Sequence, residues 1–251
     1  MDGLNCVVHS HASNQSYGMH DHDACGFLIL LNGDRSEQVG STEFIQPVGT
    51  LTYFADTLAH AWSVGPAGML AFTINFEPEK LEALGVSIDK QRMVRSPVPI
   101  GHDYAFRMAR SSISGATEDL WTEALQCLEP LEQGEENRAP MWLLKARNYI
   151  NDSPLDRIGL RSAAIEAGID PVHLARVFRK HFGQSVMECV RGRKLSFALK
   201  RILVEGDSIG TAALDAGFSD QAHLANVCRK LSGVSPSKWR NLLNSSVRWS
   251  E

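Results

Sequence analysis

The sequence predicts a multidomain α+β protein, with an N-terminal antiparallel β sandwich or barrel, helices after it, and an all-α C-terminal part. Three observations support this. Short apolar runs broken by turn residues fill residues 4–77, apolar residues at helical spacing dominate from residue 141, and a polar stretch ending in Pro140 lies between them. We therefore predict a first domain at residues 1–131, a linker at 132–140 and a helical domain at 141–245.

The strand prediction depends on three runs of strand length, at residues 27–31, 50–54 and 70–76. Asn32 and Gly33 directly follow the first run, and this pair predicts a tight turn because both residue types tolerate positive φ. Several short strands at this spacing are typical of an antiparallel sandwich or barrel.

Apolar residues fall near a 3.6-residue period between residues 103 and 131, which predicts helices with a break at Ser114 and Gly115. The periodic positions are Phe106, Ala109, Ile113, Leu120, Ala124, Leu128 and Leu131. The last four form an apolar stripe, which could cover a partner chain or could dock on its own domain.

One eight-residue pattern occurs twice in the C-terminal part, at residues 173–180 and 223–230. Each copy follows an Ala-Gly-apolar turn and precedes a second glycine, so two glycines bracket a short helix with basic residues near its end. Paired alanines upstream of each copy, at 163–164 and 212–213, let a first helix sit against the second. This is the pattern of a helix-turn-helix unit, and two units predict two helices that read DNA.

Apolar spacing and capping residues set the predicted boundaries of the C-terminal helices. The helices are predicted at residues 142–150, 160–166, 171–182, 185–203, 208–216, 220–231 and 236–243. Asp170 is the predicted N-cap of the third helix, with Pro171 at its first position. A single helix-turn-helix unit buries too little apolar surface to be stable, so the long helix at 185–203 is expected to supply a core shared by both units.

Charge is distributed unevenly along the chain, although the net charge is only −4. Residues 1–138 hold 8 Lys and Arg against 19 Asp and Glu, whereas residues 139–251 hold 17 against 10. A phosphate backbone therefore attracts the half that carries the repeated pattern and repels the other half.

Composition and targeting signals exclude other classes of protein. A hydrophobic content of 43% and a charged content of 22% are ordinary for a soluble protein, and no apolar run approaches the ~20 residues of a membrane span. The N-terminus lacks the basic flank and apolar core of a signal peptide, and the five cysteines are odd in number and scattered. These features predict a cytoplasmic protein with reduced thiols and no membrane partner.

Residues 142–243 resemble, in register, the DNA-binding domain of the AraC/XylS family of bacterial transcription regulators. The most specific matches are Ser208-Ile209, Ala212-Ala213, Ala216-Gly217-Phe218-Ser219-Asp220, His223-Leu224, Arg229-Lys230, Gly233-Val234-Ser235-Pro236 and Trp239-Arg240. Leu224 and Cys228 stand where the family usually has phenylalanines, and Ala212 replaces an isoleucine. These side chains are smaller, so the second unit is expected to be less tightly packed.

The resemblance implies a cupin-type regulatory domain in the N-terminal half, with a pocket for a small-molecule effector. The matching features are His20-Asp21-His22, the run at 27–31 with the turn after it, and His60. The candidates for the effector pocket are His20, His22, His60 and Trp62, and His9 and His11 are expected to be pocket or surface residues. Cupins often bind a metal through His-x-His, a later acidic residue and a third histidine, but Gly26 and Phe27 stand where the acidic ligand is expected. We therefore predict no metal and no cofactor.

The outward face of each second helix carries the residues expected to contact DNA. The candidate base-reading residues are Val172, His173 and Arg176 in the first unit and Gln221, Ala222, His223 and Asn226 in the second. Arg176 matches a base-contacting position of the family, and a guanidinium meets O6 and N7 of guanine together; a phosphate contact or a surface ion pair is the alternative. Asn226, where arginine is more usual, suits adenine. The candidate phosphate contacts are Arg179, Lys180, Arg229 and Lys230.

These features predict a sequence-specific DNA-binding transcriptional regulator, an activator, that responds to an effector and is not an enzyme. The resemblance implies three partners: double-stranded promoter DNA, RNA polymerase and a second copy of the chain in a homodimer. Two alternatives remain open, namely a metal-dependent cupin enzyme fused to a DNA-binding module, and a regulator that binds no ligand. Metal analysis and a ligand screen by thermal shift separate them.

Overall fold

The computed structural model describes residues 5–21, 25–54, 58–76, 98–114, 139–246 and 248–250. Its strands are β1 Asn5–His11, β2 Ser16–His20, β3 Cys25–Asn32, β4 Asp34–Val39, β5 Thr42–Pro47, β6 Thr50–Phe54, β7 His60–Val64, β8 Met69–Phe76, β9 Val98–Pro99 and β10 Arg248–Ser250. Its helices are α1 His102–Ser114, α2 Met141–Asp152, α3 Leu160–Ala167, α4 Pro171–Phe182, α5 Val186–Leu203, α6 Ile209–Asp215, α7 Gln221–Ser232 and α8 Pro236–Ser246. None of these described helices is long and apolar enough to cross a membrane.

The strands form two sheets that pack face to face. One sheet has the order β10-β1-β8-β3-β6-β9 and the other β2-β7-β4-β5. All neighbours are antiparallel except β10, which runs parallel to β1. Leu28 and Leu30 of the first sheet meet Val64 of the second in an apolar cluster between the sheets. The predicted antiparallel sandwich is confirmed, and the three predicted runs lie within β3, β6 and β8.

The chain turns at Asn32 and Gly33 as predicted, but the turn does not make a hairpin. β3 belongs to the first sheet and β4 to the second, so the chain crosses from one sheet to the other. Of the two residues only Gly33 has positive φ, at +81°, and a Cβ on it would lie 1.8 Å from the carbonyl oxygen of Gly68. Glycine is therefore required here for a close backbone approach.

β3 is buried at every position because both of its faces are covered. Phe27, Ile29 and Leu31 pack in the core that the helices form on the outer face of the first sheet, whereas Leu28 and Leu30 lie between the sheets. This double burial explains why the sequence of β3 is an unbroken apolar run.

The C-terminal helices form the two predicted helix-turn-helix units, α3 with α4 and α6 with α7. The turn glycines Gly168 and Gly217 have φ angles of +67° and +74°, and the paired alanines of α3 and α6 are buried. Asp170 accepts hydrogen bonds from the backbone N–H groups of Val172 and His173, which confirms it as the N-cap of α4.

Helix α5 connects the two units, as the sequence predicts, but it contributes to two separate cores and not to one shared core. Val186 and Val190, near its start, pack in the core of the first unit, whereas Leu199, near its end, packs in a second core. That second core is continuous with the N-terminal half, because α1 and the outer face of the first sheet pack into it. The ring of Phe72 in β8, for example, lies 6.2 Å from that of Trp239 in α8, measured between centroids.

The expectation of looser packing in the second unit stays a prediction. Leu224 and Cys228 are fully buried, and α1 from the N-terminal half packs against α7. α1 is described up to Ser114, and the expected break after it lies outside the described residues. The predicted apolar stripe at residues 120–131 and most of the predicted linker lie outside the described residues, so the domain boundaries stay a prediction.

Candidate nucleic-acid interface and ligand cavity

Helix α4 presents its predicted DNA-contacting residues on one exposed face. Leu174 and Phe178 are fully buried in the core of the first unit, and the helical repeat places the candidates on the opposite side. The exposed residues are Val172, Arg176, Arg179 and Lys180, and His173 is half-buried beside them. The structure therefore brings the base and phosphate candidates of this unit onto a single solvent-facing surface.

The side chain of Arg176 is held by its neighbours on that surface. Its Nη2 donates to Nδ1 of His173 at 3.3 Å, and the imidazole of His173 lies 5.5 Å from the ring of Trp142 in α2. Trp142 therefore supports His173, which in turn supports Arg176. The sequence did not single out Trp142 for this position, because its contact with His173 exists only once α2 packs beside α4.

Helix α7 presents the matching surface of the second unit. Gln221, Ala222, His223 and Asn226 are all exposed, as are Arg229 and Lys230. The carboxylate of Asp220 caps the helix by accepting from the backbone N–H of His223 at 2.7 Å, and this hydrogen bond lowers the pKa of Asp220.

The polar contacts on α7 differ from those on α4. The backbone N–H of Ser219 donates to Nδ1 of His223 at 3.4 Å, and the hydroxyl of Ser219 lies 3.2 Å from the same atom. Oδ1 of Asn226 accepts from Nη2 of Arg229 at 2.5 Å. The second unit therefore has the neutral amide of Asn226 at the position where the first unit has the guanidinium of Arg176.

A cavity of about 120 Å³ lies between the two sheets of the N-terminal half. Its walls come from both sheets and are His9, His11, His20, Leu28, Arg35, Phe54, His60, Trp62, Met69 and Thr73. Three of the four predicted pocket residues, His20, His60 and Trp62, line it, and the fourth, His22, lies outside the described residues. Their role in binding an effector stays a prediction.

Arg35 is a buried cation in the wall of this cavity, and no sequence pattern predicted it. Its Nη1 lies 3.1 Å from Oε2 of Glu37 and donates to Oε1 of Gln46 at 3.2 Å, and its guanidinium lies 4.7 Å from the ring centre of Trp62. Its Nε has no acceptor among the residues that the structure describes. The only sequence signal was the two-residue spacing of Arg35 and Glu37, which places both on one face of β4.

The cavity histidines are tied to neighbouring polar groups. Nδ1 of His11 lies 2.6 Å from the hydroxyl of Tyr17, and the rings of His20 and His60 are 4.6 Å apart between centroids. Burial lowers the pKa of both His11 and His60, and the positive charge of Arg35 lowers both pKa values further. Burial and the nearby charge of Arg35 therefore both favour the uncharged form of these two imidazoles.

The residues at the expected position of a cupin metal do not fit a metal ion. A Cβ on Gly26 would lie 2.3 Å from the carbonyl oxygen of Ile74, so that position has no room for an acidic side chain. Phe27 packs on the opposite face of β3, in the helical core. No group of three or more His, Cys, Asp or Glu among the described residues is arranged to hold a metal. That the protein binds none stays a prediction.

A larger, open cleft of about 470 Å³ lies between the N-terminal half and the helical units. Asp34 of β4 and Asp152 of α2 both line it, and burial raises the pKa of each carboxyl group. The negative charge of Asp34 raises the pKa of Asp152 further. This pair of carboxylates makes the cleft unfavourable for an anion.

Comparison with known protein families gives one match, which lies in the helical part of the chain. A family described as "Helix-turn-helix domain" matches residues 163–242. The "Probable transcription factor PqrA" of Proteus vulgaris is 33% identical over 104 residues, which cover 38% of this chain and 85% of that protein. The "Arabinose operon regulatory protein" of Escherichia coli (strain K12) is 30% identical over 97 residues, which cover 38% of this chain and 33% of that protein. This chain thus spans about a third of the length of the longer curated relatives that it matches.

Among solved structures, this chain is similar to ToxT from Vibrio cholerae O395. The similarity covers 98% of this chain and 100% of ToxT, with 9% sequence identity and a TM-score of 0.42.

Proposed function

Because this chain belongs to the AraC family of transcription regulators, we propose that it binds double-stranded promoter DNA in a sequence-specific way and regulates transcription. The observation that carries the proposal is the pair of exposed surfaces on α4 and α7, each with basic residues. Both lie in the half of the chain where 17 Lys and Arg face 10 Asp and Glu. A phosphate backbone is attracted to this half, and a major groove admits a helix of this kind.

In this proposal, some residues on the two surfaces contact bases and others contact phosphates. Arg176 reads a guanine in the first unit, and Asn226 with Gln221 reads adenines in the second. Val172 and Ala222 offer only apolar contact, which suits a thymine methyl group. The phosphate contacts are Arg179, Lys180, Arg229 and Lys230, which lie near the helix ends.

Fluorescence anisotropy tests the proposal with the full chain and a labelled duplex from the DNA beside its own gene. The full chain is used because the second unit shares its core with the N-terminal half. We expect the logarithm of the affinity to fall linearly with the logarithm of salt, with a slope of about −0.9 per phosphate contact. Absence of binding both to this duplex and to random duplex DNA at about 50 mM salt would refute the proposal.

The second part of the proposal concerns control of the DNA-binding half. We propose that the cavity between the sheets binds a small-molecule effector and that the protein, as a homodimer, activates transcription through RNA polymerase. The supports are the cavity between the sheets, lined by His20, His60 and Trp62, and the continuous core that joins this half to α7 and α8. The residues proposed for dimerisation, at 120–131, lie outside the described part of the chain.

Two alternative functions would give different results in metal analysis and in thermal-shift measurements. A metal-dependent enzyme fused to a DNA-binding module requires near-equimolar metal in protein purified without chelator, lost in a His60→Ala variant. Its support is weak, because Gly26 and Phe27 occupy the place of the acidic ligand. A regulator without an effector requires that no small molecule raises the unfolding midpoint of the protein.

A further inference from the structure

The apolar cores of the protein do not follow its division into an N-terminal half and a DNA-binding half. One core contains Phe72 of β8, Phe106 of α1 and Leu224 of α7, so it joins the N-terminal half to the second helix-turn-helix unit. The other core contains Leu174 of α4 with residues of α2, α3 and the start of α5, and none of its residues comes from the described N-terminal half. The two helix-turn-helix units are therefore attached to the rest of the protein in different ways.

The second unit is attached to the N-terminal half through helix α1. This helix packs against β3 of the first sheet and also against α7 and α8 of the second unit. The guanidinium of Arg110 in α1 lies on Gly233, which ends α7: a Cβ on Gly233 would lie 3.3 Å from Nη1 of Arg110. A positive charge is favourable at this end of a helix. Helix α7, which is proposed to read bases, therefore touches the N-terminal half directly.

The first unit faces the N-terminal half across the open cleft of about 470 Å³. Residues 32–34 of the N-terminal half line this cleft, and so do residues 151–156 of the first unit. Asp34 and Asp152 belong to these two segments, and the negative charge of Asp34 raises the pKa of Asp152. Like charges at these positions disfavour closure of the cleft. Apolar packing therefore does not hold the first unit against the N-terminal half at this place.

The boundary between the two cores lies within helix α5, because Val190 packs in the core of the first unit and Leu195 in the other core. We propose that the N-terminal half and the second unit form one cooperatively folding region, that the first unit forms another, and that the N-terminal half controls DNA binding through α7. Elements that share buried contacts lose them together when one of them opens, whereas an element with its own core can open alone. The control of DNA binding rests on the function proposed above, and the division into two regions does not.

Hydrogen exchange of the full chain, followed by mass spectrometry, tests the division. Leu174 and Leu224 occupy the same position of the repeated pattern, one in each unit, and both are fully buried. Leu174→Ala and Leu224→Ala therefore make the same change in the two cores. We expect Leu224→Ala to speed exchange in α7, α1 and β8 by at least about tenfold. Leu174→Ala should speed exchange in α3 and α4 and leave α1 and β8 as they are in the unaltered protein.

Two results of this experiment would overturn the proposal: unaltered exchange in α1 and β8 of the Leu224→Ala variant, or equal acceleration there in both variants. If a variant does not fold, exchange of the unaltered protein at increasing urea concentrations still decides. Segments from α1 and α7 should then open with the same free energy and the same dependence on urea, and segments from α4 should differ from both. Different values for α1 and α7, or one value shared by all three helices, would overturn the proposal as well.

A scan of single base-pair changes with two α1 variants tests the control of α7. Arg110→Ala removes the contact with Gly233, whereas its matched control Arg107→Ala removes an exposed arginine that lies over Tyr104 of the same helix. On a footprinted site we expect Arg110→Ala to lower the penalties severalfold in the half read by α7 and to leave those in the half read by α4 unchanged. Arg107→Ala should change neither half. Equal effects in both halves, or no effect of Arg110→Ala, would overturn control through the second unit.

The two experiments separate this proposal from the function on which it rests. The expected exchange in a protein that binds no DNA would leave the two regions in place and remove the control of DNA binding together with the proposed function. Salt-dependent DNA binding in a protein whose N-terminal half exchanges independently of α7 would overturn the two regions and leave the DNA-binding function in place.

Discussion

Gly192 of α5 lies directly against the imidazole of His102 in α1: a Cβ on Gly192 would lie 2.2 Å from Cγ of His102. His102 is only 2% exposed, and its helix belongs to the N-terminal half, whereas α5 connects the two helix-turn-helix units. At this contact the side chain of His102, from the cavity-bearing half, packs directly on the backbone of α5 in the DNA-binding half.

Gly192→Ala should destabilise the protein through this contact. Alanine is favoured over glycine in a helix by about 1 kcal/mol, but a clash at 2.2 Å against a ring forces a shift that costs about 1–3 kcal/mol or more. We expect a net loss in the free energy of unfolding, measured by urea denaturation. Gly210→Ala in α6 is the matched control, because the nearest atom to its Cβ is 3.9 Å away. Equal stability of both variants would contradict the close packing.

The free energy of unfolding should decrease as the pH is lowered, because His102 is buried in the folded protein. Burial lowers the pKa of His102 to about 4, whereas an unfolded histidine titrates near 6.5. Between these values the unfolded chain binds a proton that the folded protein does not, so the free energy of unfolding decreases as the pH falls from about 6.5 to about 4, by about 3 kcal/mol from this group. His102→Asn removes the titrating group. Urea denaturation at several pH values should give a shallower pH dependence in this variant, and an unchanged dependence would assign the effect to other groups, such as His11 and His60.

Ser232→Ala should destabilise the second unit although it removes one oxygen atom only. Oγ of Ser232 accepts from Nε1 of Trp239 at 2.9 Å, and both residues are fully buried. Without Ser232 the indole N–H has no acceptor, which costs about 1–3 kcal/mol. Ser112→Ala in α1 is the control, because Oγ of Ser112 donates to the backbone oxygen of Met108 and that carbonyl can still bond within the helix. Losses of similar size in both variants would argue against the buried indole hydrogen bond as the cause.

Arg176→Ala and Lys180→Ala should separate base reading from phosphate binding. We expect Arg176→Ala to cost about 1–3 kcal/mol at the specific site and to relax the preference at one base pair, whereas Lys180→Ala should weaken specific and random duplexes about equally. Lys145→Ala is a control of equal charge, since Lys145 lies in α2 and pairs with Glu166 at 3.2 Å. Equal losses on specific and random DNA for Arg176→Ala would make Arg176 a phosphate contact.

The two halves of the operator should contribute unequally. One reason is the charge of Arg176 compared with the neutral amide of Asn226, whose Oδ1 is already bonded to Arg229. A second reason is that Cys228 buries less apolar area than Phe178 does at the matching place in α4, although both are fully buried. A scan of single base-pair changes across a footprinted site should give larger penalties in the half read by α4. Equal penalties in both halves would remove the asymmetry while leaving DNA binding intact.

The sequence alone determined the features that depend on neighbouring residues. Asp170 caps α4 as predicted, the turn glycine Gly168 has positive φ, and the paired alanines are buried at the helix contacts. The exposed position of Arg176 follows from the same helical repeat. Capping, turn geometry and amphipathic spacing are encoded within a few consecutive residues, so they can be read without knowledge of the rest of the chain.

Only the tertiary structure decided which distant segments meet. It places β3 and β4 in different sheets although Asn32-Gly33 joins them, and it packs α1 against α7. It also buries Arg35 in the cavity and brings Gly192 against His102. These contacts join residues far apart in the chain, as Nζ of Lys200 and the backbone oxygen of Ala67 do at 2.8 Å. No local pattern encodes such pairs, because their formation depends on the complementary packing of whole surfaces in the folded state.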